Sequence, residues 1–402
     1  MSLESLKNKL KLKRRRVDLR YKFYEAKNVA RDLGISTPPN LAWLKSCLGW
    51  NANAVDCLAD RLIVRKFRDG ADFFNLQEIY NLNNMPTLTD SAMLSALIAS
   101  CAFISISEEN GYPRMEVIDG GNATGTLDVQ TGFLTEGYAV LERDKNQRPI
   151  REAYYTPEAT YYLEKGQTVM VYDNPARYPL LVPVVFRPDA RRPFGHSRIS
   201  RACMDYTTSA LRTIKRSEVA AEFFSFPQRY VTGLDNDDAK LDKWRATMSS
   251  LLQYTLGEDG DNHVQLGQFA QGSMAPHVDQ LRMFASLFAG ETGLTLDDLG
   301  FPTSNPTSAD AIRSSHEKLR LTARKAQRNF EGAFKNAGLL AASIRDGQPY
   351  FQNQLSDTQL VWAPIFEPDP SMLGQIGDGL SKIQMLYPDA ITGDTVKELL
   401  GL

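Results

Sequence analysis

Apolar positions recur along this chain at two periods, three to four residues and two residues, and the switches between them outline its elements. The longest helical run covers residues 309–347. There Ile312, Leu319, Ala323, Ala326, Phe330, Ala333, Ala337 and Leu340 fall on one face. Pro306, and Thr307 with Asp310 three residues on, mark its start, and Gly347 marks its end. Two more helices are predicted upstream. One spans 198–225, with Ala202, Tyr206, Ala210, Ile214, Ala221 and Phe224 spaced for burial and Pro227 ending it. The other spans about 275–292, with Leu281, Phe284, Ala285 and Phe288 on one face. Between them, residues 226–273 read as a small α/β unit: a strand at 228–233, a helix from about Asp237, then a turn and a further strand.

The N-terminal half begins with a short helix over 3–16, which places Leu3, Leu6 and Leu10 on one side and bases elsewhere. A second short helix follows near Tyr21–Lys27, then an extended linker at Gly34–Pro39. Residues 49–62 form a helix with Ala54, Val55, Leu58 and Leu62 on one face, leading to a strand at Ile63–Phe67. Residues 87–101 make another apolar helix. From there the period is two: alternation around Ala139–Arg143 and Ala153–Thr156, with Gly or Asn at the breaks, predicts an antiparallel meander. A strand at Val182–Phe186, a returning strand at Thr358–Pro364, a glycine-weakened helix at about 371–386 and a short last helix complete an α+β fold.

Charge changes this picture in two places. The net charge of −2 makes no general case for nucleic acid, but residues 1–22 hold nine Lys or Arg against Glu4 and Asp18, which leaves −9 for the rest. Such an arm is solvated, or meets an acidic protein or nucleic acid; with its few apolar groups it is expected to be dispensable for the fold. On the predicted helix at 309–347, Arg313, Lys318, Arg320, Arg324, Lys325, Arg328 and Lys335 outnumber Asp310, Glu317 and Glu331. The plainest reading is a solvated face. The loop ahead of it, rich in Ser, Thr and Asn and lacking large apolar groups after Phe301, keeps a contact role open.

The chemistry-bearing residues converge on nothing. Cys47, Cys57, Cys101 and Cys203 form no C-x-x-C pair and the four histidines are scattered, so neither zinc site nor disulfide framework is expected, and no cofactor. P-loop, G-x-S-x-G, H-E-x-x-H and a G-x-G-x-x-G at a strand-to-helix junction are all missing. Asp235, Asp237 and Asp238, with Glu258, Asp259 and Asp261, raise a metal-dependent nucleic-acid-processing enzyme as an alternative. Their Gly- and Asn-containing turns are better explained by capping and turn formation. His196 beside Arg198 reads as a capping or packing residue. No catalytic or metal-ligating residue is assigned. No signal peptide and no membrane span are expected, since no run of about 18 apolar residues occurs.

The order of elements resembles a family. Tyr24-Glu-Ala-Lys followed by Gly49-Trp50 and Ala54-Val55-Asp56-Cys57-Leu58-Ala59-Asp60-Arg61-Leu62 is similar to the N-terminal part of tailed-phage portal proteins of the Gp6-like group. So are Phe194-Gly195-His196-Ser197-Arg198-Ile199 before a helix ending in Phe226-Pro227-Gln228-Arg229, and Asn305-Pro306-Thr307-Ser308-Ala309-Asp310-Ala311-Ile312 before a basic helix. Together these cover roughly residues 20–390 in the right order.

The resemblance implies a non-enzymatic homo-oligomeric ring, usually of twelve subunits, at one capsid vertex, with double-stranded DNA passing through it. It implies a basic arm at 1–22, a β-rich wing at 23–197, stem helices at 198–225 and 274–293, and a clip at 226–273. A tunnel loop at 294–308, a channel helix at 309–347, a returning wing strand at 348–370 and a short crown at 371–402 follow. Thr303, Ser304, Asn305, Thr307 and Ser308 would line the channel, polar but without gripping bases. Arg313, Arg320, Arg324 and Arg328 would meet DNA or a neighbouring subunit, and Gln228, Arg229, Tyr230 and Trp244 would serve clip docking. The implied partners are the terminase large subunit, a head-to-tail adaptor, and the major capsid and scaffolding proteins, in the virion and, during assembly, the host cytoplasm. Another capsid- or scaffold-binding structural protein, using the basic arm, is a further alternative.

Overall fold

A computed structural model of the chain describes residues 3–29, 43, 45–69, 73–225, 229–232, 252–254, 265–268, 272–302, 314–366 and 370–386. In chain order these form α1 (Leu3–Tyr24), α2 (Trp50–Ala59), β1 (Val64–Asp69), α3 (Leu76–Leu82) and α4 (Met85–Ala99). Eight strands follow: β2 (Cys101–Glu109), β3 (Tyr112–Asp119), β4 (Ala123–Leu127), β5 (Leu134–Arg143), β6 (Pro149–Tyr155), β7 (Ala159–Glu164), β8 (Gln167–Asp173) and β9 (Leu181–Val185). Then come α5 (Arg201–Ser225), β10 (Arg229–Thr232), β11 (Leu252–Tyr254), β12 (Gln265–Gln268) and α6 (Ala275–Thr292). The chain closes with α7 (Glu317–Asp346), β13 (Thr358–Trp362) and α8 (Pro370–Leu386).

The core is built around α7. Its predicted stripe is buried at Leu319, Ala323, Ala326, Phe330, Ala337 and Leu340, and from Asn336 to Ile344 the helix is enclosed on every side. It lies on one face of the sheet ordered β3-β2-β9, and α4 covers the other, so β2 is buried on both faces from Cys101 to Ile106. Phe330 stacks on Phe186, centroids 6.2 Å apart. A side chain on Gly338 would stand 3.0 Å from Leu76 and 3.3 Å from Tyr80, so the glycine is what lets α3 approach. The helix stops where predicted, at Gly347 with φ +65°.

The predicted meander is present as an antiparallel sheet ordered β4-β5-β6-β7-β8. At its edge β8 leaves Val169, Met170 and Val171 exposed. The returning strand β13 pairs antiparallel with β1 as a separate ribbon. Beyond α5, β10 stands between β11 and β12, parallel to the first and antiparallel to the second.

Three expectations change. The N-terminal segment is one helix docked on the body, where two short helices and a dispensable arm were expected. Leu6 and Leu10 are buried in a cluster with Tyr138 and Val140, and Val17 is buried too. Its bases are used as donors: Lys9 Nζ to the Gly125 carbonyl at 2.6 Å, Lys13 Nζ to the Ala123 carbonyl at 3.2 Å and Arg20 to the Ala99 carbonyl at 2.8 Å. Secondly, the fully buried stripe of α5 is Cys203, Thr207, Ala210 and Leu211, with Ala202, Tyr206 and Ile214 only half-buried. The base of α5 packs on α2 as well as α6, where Asn51 donates to the Thr207 hydroxyl at 2.8 Å, and this turns the buried face. Thirdly, α3 was not anticipated; its seven residues are too few for the period to stand out.

Removing residues 2–16 is therefore expected to destabilise the chain, because it uncovers Tyr138 and Val140. The milder Leu10→Ala is expected to cost about 2–5 kcal/mol, as cavity-forming substitutions do. Thermal unfolding checks both: an unchanged Tm would return α1 to the status of an arm.

Candidate functional site

The segment between β9 and α5 ties α2, α4 and α6 together around one buried cation. Arg198 is 7% exposed, and its guanidinium donates through Nε to the Ala54 carbonyl of α2 at 3.2 Å and through Nη2 to the Thr292 carbonyl ending α6. Its amide donates to the Leu97 carbonyl of α4 at 2.8 Å, and the neighbouring Ser197 hydroxyl to the Ile98 carbonyl at 2.6 Å. No carboxylate pairs with it among the described residues. Burial pulls its pKa down to about 10, so it stays charged at neutral pH and meets the negative end of the α6 dipole. His196 is apart from this: it faces solvent and pairs with Asp189 at 2.6 Å, bracing its own loop.

Arg198 thus fixes the base of a helical pair. Ser200, just before α5, donates to Glu291 near the end of α6 at 2.8 Å, Thr213 to Gln280 at 3.1 Å midway, and Phe224 lies against Gly272 at the far end. The helices are antiparallel, and at ~1.5 Å per residue α5 rises about 37 Å. The β11-β10-β12 sheet belongs to the segment joining their far ends.

A second junction flanks residues 303–313. Asp298 accepts from the Thr295 amide at 2.8 Å and hydroxyl at 2.9 Å, and pairs with His316 at 3.2 Å just before α7. The His316 ring meets Phe366 edge-on at 6.3 Å, and Arg61, just beyond α2, lies over Phe366 at 5.2 Å. Burial alone would raise the Asp298 carboxyl; the hydrogen bonds from Thr295 and the His316 ring hold it below the ordinary carboxylate range. Along α7, Arg320 is held by Glu317 at 2.6 Å and Lys335 by Glu331 at 3.8 Å. Arg324, Lys325 and Arg328 are exposed and have no ion pair among the described residues, with Leu321 exposed one turn before.

Set against known proteins, residues 3–362 match the family described as "Phage portal protein, SPP1 Gp6-like". The chain belongs to this portal protein family. It is 24% identical over 349 residues to the portal protein of Mycobacterium phage D29 and 25% identical over 350 residues to that of Mycobacterium phage L5, in each case 81% of this chain and 70% of the relative. A solved structure, "Neck of native GTA particle computed with C12 symmetry", aligns over 88% of this chain and 89% of its own, at 11% identity and a TM-score of 0.44.

The residues that the portal resemblance pointed to are placed unevenly. Thr303, Ser304, Asn305, Thr307, Ser308, Arg313, Gln228 and Trp244 lie outside the described residues, as do Asp235, Asp237, Asp238, Glu258, Asp259 and Asp261. Arg229 and Tyr230 open β10, at the centre of the small sheet. Of the four α7-side arginines, Arg320 is spent on Glu317, while Arg324 and Arg328 remain on the surface. Among the described residues no group of three or more His, Cys, Asp or Glu is placed to hold a metal ion, and no helix is long and apolar enough to cross a membrane. Sequence reasoning singled out His196 and passed over Arg198 and the Asp298–His316 pair. The one sequence signal for the last is Thr295 three residues before Asp298, a local capping pattern.

Replacing Arg198 by Met is expected to destabilise the chain by about 2–4 kcal/mol, since two buried carbonyls lose their donor; denaturant unfolding at neutral pH measures it. Asp298 gives a pH dependence. Its folded pKa lies below the unfolded value, so its stabilisation is complete above pH ~4 and is lost as pH falls through the folded value. Asp298→Asn is expected to flatten that part of the acid limb of Tm against pH.

Proposed function

We propose that this portal-family chain assembles into a closed ring at one capsid vertex, through which double-stranded DNA is packaged and ejected. What carries the reading is the antiparallel α5/α6 pair fixed at its base by Arg198, in a chain matched by the portal family from residue 3 to 362. In this reading the pair is the stem, 226–273 the clip that meets the terminase large subunit and a head-to-tail adaptor, and the sheets of 23–197 with β13 the wing facing the capsid and scaffolding proteins. Residues 294–308 are the tunnel loop, entering α7, and 371–402 a short crown. The ring is taken as twelve-fold from the family resemblance. DNA contacts would be sequence-independent, since strong base contacts would oppose sliding.

On α7, the exposed Leu321 beside Arg324, Lys325 and Arg328 favours a neighbouring subunit over DNA, because a duplex would leave the leucine in water. The chain is read as structural: with no P-loop it has no means of driving packaging itself.

Electron microscopy of the purified chain should show rings with a central hole of duplex width; a monomer under all conditions would refute the reading. Replacing Ser304 and Asn305 by bulky apolar residues should leave rings intact and impair packaging or retention of DNA, and unaffected packaging would contradict a channel role for that loop. Divalent-metal-dependent DNA cleavage abolished by Asp238→Ala would favour a nuclease instead.

A further inference from the structure

The outward side of α1 carries a stripe that nothing in the described chain covers. Leu12 and Leu19 are 69% and 46% exposed, and Lys11, Arg15, Arg16 and Lys22 beside them are exposed with no ion pair among the described residues. The stripe is not waiting for the chain's own sheet, because the opposite side of α1 already holds that contact through Leu6, Leu10 and Val17. Two leucines in water and four like charges along about three turns are each relieved by an acidic, partly apolar surface. A duplex would neutralise the charges and leave the leucines wet.

The chain has such a surface. Between the end of α2 and the first half of α4 runs a groove of about 720 Å³ whose lining includes Asp56, Asp60 and Asp90 above Ile63 and Leu94, with no Lys or Arg in its walls. Ile63 is 51% exposed. Burial, with the charge of Asp60 added, raises the Asp56 and Asp90 carboxyls above the ordinary range, as befits carboxylates short of a cation. Asp56 takes one neutral hydrogen bond, from the Tyr24 hydroxyl at 2.9 Å.

We propose that the α1 stripe of one copy of this chain docks on the Asp56/Asp60/Asp90 groove of the next. The inference rests on the ring reading above and names surfaces that hold the ring together. Two different patches on one chain make a heterologous contact, the kind that closes into a ring when the rotation per copy allows. The leucines would meet Ile63 and Leu94 while the bases face the three carboxylates.

Charge reversal tests it in the full-length chain. Arg15→Glu with Arg16→Glu, and separately Asp60→Lys with Asp90→Lys, change exposed side chains and should leave circular dichroism and Tm near those of the parent. Each pair should lower the ring fraction seen by native mass spectrometry and electron microscopy by ~tenfold or more at fixed concentration, since like charges then face each other. Combining all four restores opposite charges, and rings should return. Rings that persist in both double variants, or that do not return in the quadruple one, overturn the pairing; persistence would assign the α1 stripe to an acidic partner protein or to DNA. A parent chain that never forms rings removes the portal reading and this inference with it, so the two failures are told apart.

Discussion

A buried guanidinium holds this structure's parts in register. Arg198 has no counter-ion among the described residues, so its charge is met by carbonyl dipoles alone, from the middle of α2 and from the end of α6, while its own amide closes on α4. Removing a charge from water is costly unless its donors are satisfied, and here the satisfaction comes only when α2 and α6 stand in one arrangement, with α4 held by the amide of the same residue. The cation therefore specifies geometry. The helical pair projects from the body at a set place because both of its ends nearest the body are tied there, α5 through the segment that carries Arg198 and Ser200, α6 through Thr292 and Glu291.

The second organising element is apolar. α7 begins half in solvent, with bases of which some have no ion pair among the described residues, and ends enclosed between α3 and the β3-β2-β9 sheet. One helix thus carries a wet end beside residues 303–313 and a dry end in the core. The Asp298–His316 pair and the Lys318 ammonium, which donates to the Gly290 carbonyl, fasten the wet end to α6 and its following turn.

Much of this was legible in the sequence wherever one periodicity ran for long enough. The face of α7, its stop at Gly347, the meander and the helix, insertion, helix order all followed from spacing and punctuation. Apart from α3, which is too short for its period to stand out, the failures share a cause: each involves a residue whose partner is distant in sequence. Lys9, Lys13 and Arg20 read as free charges because the carbonyls that accept from them belong to Gly125, Ala123 and Ala99. The face of α5 was misjudged by part of a turn because a polar contact, Asn51 to Thr207, does the burying there. Arg198 was eclipsed by His196 for a similar reason, since an arginine in a loop gives no sign that it will lie inside.

The sheet edge at β8 carries a consequence for the life of the newly made chain. Val169, Met170 and Val171 stand in water on a strand with one side unpaired among the described residues, with no proline or lysine within Gln167–Asp173 to blunt it. Such an edge is a template on which another extended backbone can pair, and clumping through it grows with concentration. A cell making this protein quickly raises the level of open edges and so the hazard; slower synthesis lowers it.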